Sequence, residues 1–128
     1  MFIGLNPSTA NEEEDDPTIR RCVNYSKDWG YGGFMIVNLF SYRTTLPSNL
    51  KKVKYPIGSE NDKYIVILSK KADITVAAWG NNGNLYSRDK QVLSLVPSLM
   101  CLKINKSGQP THPLYLKKGL KLTKFSRL

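Results

Sequence analysis

The chain has little from which to build a metal centre or a disulfide framework. It holds one histidine, His112, and two cysteines, Cys22 and Cys101, with no C-x-x-C spacing. Two isolated cysteines read as buried free thiols in a reducing compartment. No apolar run approaches the length of a membrane span. The longest, Ile74 to Trp79 and Phe34 to Val37, suit buried strands. The apolar start is interrupted by Asn6-Pro7 and followed by acids, unlike a signal peptide, so the expected location is cytoplasmic. Acidic residues are also missing from a whole region, since none follows Asp89.

What is present fits a single domain. A chain of 128 residues with 41% hydrophobic and 23% charged residues can bury a core without metals or disulfides. The net charge of +9 is unevenly spread. Acids crowd into Glu12-Glu13-Glu14-Asp15-Asp16, whereas every charged residue from Lys90 to Arg127 is a lysine or an arginine. A basic carboxyl-terminal third suits a polyanion such as nucleic acid. It also suits a plain solubilising surface.

Strand-like and helix-like segments alternate along the chain. Phe2 to Leu5 reads as a short strand. Asp16-Pro17 marks a helix start, with Asp16 as N-cap and Pro17 at the first helical position, and Ile19, Cys22, Val23 and Ser26 form its stripe. Glycines 30, 32 and 33 end that helix. Phe34 to Val37 is a second strand, and residues 41–57 a polar loop. A second helix runs from about Ser59, with Asp62 completing an approximate capping box, to about Lys71. Ile74 to Ala78 is a third strand, Leu85 or Ser87 to Val96 a third helix, and Leu99 to Ile104 a fourth strand. This order predicts an α/β protein, a three-layer α/β/α sandwich with a four-stranded, mostly parallel sheet. The domain is expected to span residues 1–116, with 117–128 a basic tail.

Ligands of such sheets bind beyond the carboxyl ends of the strands. Those ends carry Asn6, Asn38, Asn81 and Asn105, and His112 falls in the same layer. A carboxamide offers two donors and an acceptor, as reading a base edge requires. Asn81, Asn82 and Asn105 sit in polar, glycine-containing turns and read as turn residues. Asn6 and Asn38 directly follow apolar strands and are the stronger candidates. Ser8 lacks a His–Asp partner set, which argues against a serine-nucleophile hydrolase.

Gly4-Leu5-Asn6-Pro7-Ser8 resembles the G-I-N-P-G motif of the mismatch-specific thymine and uracil DNA glycosylases, a branch of the uracil-DNA glycosylase superfamily. Gly33-Phe34-Met35 with Asn38 and Arg43-Thr44-Thr45 is similar to that branch's second strand and following loop. Ala78-Trp79-Gly80 and Thr111-His112-Pro113-Leu114 resemble its later motifs, in the same order. Asn6-Pro7-Ser8-Thr9-Ala10 together with Asp15 to Cys22 also looks like a bacterial and phage family catalogued as domain of unknown function 1643.

The superfamily resemblance implies a nucleobase-recognising protein, with N-glycosidic hydrolysis of a base in DNA or a nucleotide as the candidate reaction. Under it, Asn6 orients water and His112 donates to the base oxygen. Asn38 reads the base edge, and Tyr42 or Phe40 stacks on the base. Phosphate contacts fall to Ser8, Arg43, Lys117 and Lys118. No cofactor and no metal are required, and the partners are nucleic acid or a nucleotide rather than a membrane. A second reading is a nucleic-acid or nucleotide binder without catalysis. A third is a metal-dependent nucleotide or phosphoester-processing enzyme, with Glu12 to Asp16 holding Mg²⁺. The acids otherwise read as solvated, with Asp15 or Asp16 favouring the positive end of the helix that follows. The leading reading requires Asn6, Asn38 and His112 to converge on one cavity.

Overall fold

The computed structural model describes residues 1–7 and 16–125. Three α-helices and five short strands alternate: β1 Phe2–Gly4, α1 Pro17–Asp28, β2 Ile36–Asn38, α2 Asn61–Lys71, β3 Val76–Ala77, α3 Arg88–Leu95, β4 Met100–Cys101 and β5 Thr123–Lys124. The sheet order is β2-β1-β3-β4-β5. The first four strands are parallel, with Phe2 opposite both Ile36 and Val76, and Val76 opposite Met100. β5 runs antiparallel to β4. The protein is therefore an α/β fold on a mixed, five-stranded sheet.

The pleat sends alternate residues to two cores. Ile3, Ala77 and Cys101 face a cluster with Ile65 of α2 and Val92 of α3. Phe2, Val76, Ala78 and Leu102 face the other cluster, with Cys22 and Tyr25 of α1 and Leu116. Winding from β1 to β2 and then back across β1 to β3 reverses direction. Crossovers of one hand then place α1 on one face and α2 and α3 on the other. On the α1 face, Trp29 stacks against Phe2 at 6.1 Å and Tyr25 at 5.4 Å between ring centroids.

Local signals govern α1. The Asp16 carboxylate accepts from the backbone N–H of Thr18 at 2.8 Å, and Pro17 opens the first turn. Both are standard devices for satisfying or removing orphan donors. Cys22, Tyr25 and Ser26 are buried, whereas Ile19 is 40% exposed.

Elsewhere the structure corrects the sequence reading. The folded domain does not stop at residue 116, because Thr123 and Lys124 pair with β4 and Phe125 is buried against Trp79 at 5.6 Å. β4 is shorter than expected, because the chain turns away and Ile104 bridges Pro110. The capping box at Ser59 does not form. Glu60 holds the cap position without a side-chain bond, while Asp62 Oδ1 accepts from the fully buried Arg88 at 2.7 Å. A buried guanidinium outcompetes a local amide for that carboxylate. The third helix starts at Arg88, after an irregular 3₁₀ segment from Asn81 to Ser87.

Candidate functional site

A cavity of about 750 Å³ opens at the carboxyl edge of β1, β2 and β3. That volume lies within the range of small-molecule sites. Its walls include Asn6 beyond β1, Asn38 at the end of β2, Gly80 beyond β3, and His112. Asn6, Asn38 and His112 thus share one cavity despite their separation in sequence. The location is the switch point where the winding of the sheet reverses, the usual ligand position in open α/β sheets. A smaller hollow of about 210 Å³ lies at the opposite edge, by Trp29, Phe34 and Ile74.

The two asparagines have different surroundings. Asn6 Nδ2 donates to the carbonyl of Thr44 at 2.8 Å, and to those of Tyr42 and Pro7 at 3.2 Å. Its amide hydrogens are committed to the main chain, and they fasten residues 42–44 to the end of β1. Thr44 N–H returns a bond to the Pro7 carbonyl at 3.2 Å. The Asn38 carbonyl accepts from Asn61 Nδ2 at 2.8 Å, but its carboxamide makes no hydrogen bond among the described residues. That carboxamide lies directly over Gly4, where an added Cβ would come 2.8 Å from Oδ1.

His112 precedes a 3₁₀ turn, Pro113–Tyr115, and its Nδ1 accepts from Leu114 N–H at 3.2 Å. Accepting at Nδ1 leaves the proton of a neutral ring on Nε2. Burial pushes the His112 pKa down, opposed by the weaker influence of Asp16. The neutral, Nε2-protonated imidazole is then the resident form at neutral pH. The Tyr115 ring stands 6.0 Å from it in an edge-on contact.

Asp16 is the helix cap that the sequence predicts, and it also lines the cavity, a position that its place in the acidic run Glu12 to Asp16 does not reveal. Cys22 lines the cavity too, but burial first, then Asp16, pushes its thiol up to about 12, so it stays protonated. A thiol held protonated is a poor nucleophile. Cys101 is likewise buried and free.

The floor is held from below. Trp79 is buried, and its Nε1–H donates to Gln109 Oε1 at 2.9 Å, whose Nε2 donates to the buried Asp89 carboxylate at 2.9 Å. Asn81 Oδ1 accepts from Asn105 Nδ2 at 2.8 Å and Ser107 Oγ at 2.7 Å, joining two loops as turn residues would.

The remaining sequence candidates fall outside the cavity. Phe40 is fully buried in the core against Tyr86, so its ring cannot stack on a ligand. Tyr42 is 41% exposed on the surface beside the cavity rather than in its wall. Arg43, Lys117 and Lys118 are exposed beyond the lining. Ser8 and the acids Glu12 to Asp15 lie outside the described residues. Among the described residues, no cluster of three His, Cys, Asp or Glu side chains could hold a metal ion. No helix among them is long and apolar enough to cross a membrane.

Fold and cavity together define a class: an α/β domain with a cavity at the switch point of a mixed sheet. A family model described as protein of unknown function (DUF1643) matches residues 1–114. The chain belongs to that family. No curated protein and no solved structure matches the sequence.

Proposed function

We propose that the cavity receives a nucleobase, carried on nucleic acid or a nucleotide, and that the reaction it supports is hydrolysis of the N-glycosidic bond. One observation carries the reading. A carboxamide without a partner among the described residues, a neutral imidazole and a carboxylate, from Asn38, His112 and Asp16, line the same cavity. A carboxamide can pair with a base edge as both donor and acceptor. The ordered resemblance of the sequence motifs to those of the uracil-DNA glycosylase superfamily lends support.

In the proposed step, the bond between C1′ and the base nitrogen breaks and its electron pair leaves with the base. His112 Nε2–H donates to the base oxygen where negative charge gathers, the kind of contact that lowers a barrier most. Water bonds to C1′ and passes its proton to Asp16. The departing base then takes a proton, and the carboxylate is restored. Asn6 Nδ2 holds residues 42–44 in place, and its Oδ1 orients the water.

A second reading, binding without turnover, is favoured by that same Asn6, whose amide hydrogens are tied to main-chain carbonyls. Release of free base from oligonucleotides containing uracil or a G·T mismatch distinguishes the two. With hydrolysis, base is released, and Asn38→Ala and His112→Ala each reduce the rate by about 10²-fold or more. If excess protein releases no base while Asn38→Ala still weakens nucleotide binding, the binder is correct and hydrolysis is not.

A further inference from the structure

We infer that residues 42–55 form a landing surface for single-stranded nucleic acid leading out of the cavity, so that the ligand is a polymer and not a free nucleotide. This deepens the nucleobase reading of the cavity, but the surface can be tested alone. Tyr42 and Tyr55 are distant from the core, 41% and 76% exposed. Main-chain bonds clip them together: the N–H groups of Ser41 and Tyr42 both donate to the Pro56 carbonyl, at 2.9 and 3.1 Å. Lys54 Nζ stands 5.6 Å from the Tyr55 ring centroid, and Lys51 and Lys52 are exposed on the 3₁₀ turn between the two tyrosines. No acid occurs from residue 41 to residue 59. Those three lysines form no ion pair among the described residues.

The surface is continuous with the cavity. Thr44, Thr45 and Pro47, in the same segment, line the cavity wall, and Asn6 pins Tyr42 and Thr44 by their carbonyls. Exposed aromatic rings among lysines match single strands, which offer base faces to stack on and phosphates to neutralise. A duplex hides those faces. A base in a single strand also reaches the cavity without being unpaired first.

The test is fluorescence anisotropy with labelled oligothymidylate, the same sequence as duplex, and oligouridylate to separate DNA from RNA. The single strands are expected to bind more tightly than the duplex, and Tyr42→Ala and Tyr55→Ala to weaken binding about tenfold each with melting temperatures unchanged. Lys51→Ala with Lys52→Ala should reduce the salt slope by about 1.4. Equal or tighter duplex binding, or tyrosine variants that bind like wild type while heparin displaces the strand, overturns the inference. So does failure to bind any oligonucleotide at low salt. Strand binding without base release leaves the inference standing and removes the hydrolytic reading.

Discussion

Gly4 and Asn38 stand opposite each other on adjacent strands, and a Cβ on residue 4 would come within 2.8 Å of the Asn38 Oδ1. The bare backbone of Gly4 is what lets the Asn38 carboxamide lie across the end of β1. The clash involves the tip of a side chain and not the backbone, so Gly4→Ala should displace the carboxamide and leave the fold intact. The expected outcome is a melting temperature within a few degrees of wild type with nucleotide binding weakened toward the level of Asn38→Ala. A variant that binds normally removes Asn38 from base reading.

Gly83 presents the opposite case. A Cβ there would fall 2.0 Å from Trp79 Cδ1, and the buried indole has nowhere to go. Gly83→Ala should cost about 3 kcal/mol or more, as overpacking against a rigid group does. Gln109→Leu acts on the same tryptophan from the other side, orphaning the indole N–H and one bond to Asp89. Each stranded group costs about 1–3 kcal/mol. Chemical denaturation measures both, and a Gln109→Leu variant as stable as wild type contradicts the buried network.

His112 is the chain's one histidine, so its ring is resolved in a nitrogen-15 spectrum without ambiguity. Burial lowers its folded pKa below the unfolded value near 6.5. The folded state therefore binds that proton less readily than the unfolded state does. The stability this contributes is present above the unfolded value and is lost as the pH falls from there through the folded one. The ring should titrate below 6.5 and carry its proton on Nε2. His112→Gln should flatten the stability profile as the pH falls below about 6.5. A ring titrating above 6.5, or protonated on Nδ1, contradicts the proposed donor.

Asp16 separates a structural role from a chemical one. Asparagine caps helices about as well as aspartate, so Asp16→Asn should melt near wild type, whereas Asp16→Ala should lose about 1 kcal/mol. If Asp16 accepts the proton of water, both variants lose base release by about 10²–10⁴-fold. Retained release in Asp16→Asn leaves the residue as a cap alone.

The features readable from the chain are those written within a few residues. Asp16-Pro17 announces a helix by its cap and first turn, whereas the apolar run Phe34 to Val37, expected as a buried strand, leads into the edge strand β2 and is only half-buried. β5 had no such mark: Thr123 and Lys124 are both exposed, and they are held by main-chain pairing to β4, by the Thr123 hydroxyl on the Cys101 carbonyl and by the burial of Phe125 against Trp79. Asp62 had two suitors, the local helix end and Arg88, and spacing along the chain cannot rank a partner 26 residues away. Phe40 and Tyr42 look alike as stacking candidates, but main-chain pairing sends one ring into the core and the other to the surface.

By itself, then, the order of residues determined the alternation of strands and helices, the two free thiols and the set of polar groups at the strand ends. Periodicity and capping act over single turns, so they are legible without coordinates. Tertiary structure alone decided that Asn6, Asn38, Asp16 and His112 border one cavity and that Asn6 ties its amide hydrogens to main-chain carbonyls. Those neighbours come from segments brought together by sheet order and by competition among distant hydrogen-bond partners, neither of which is a local property of the chain.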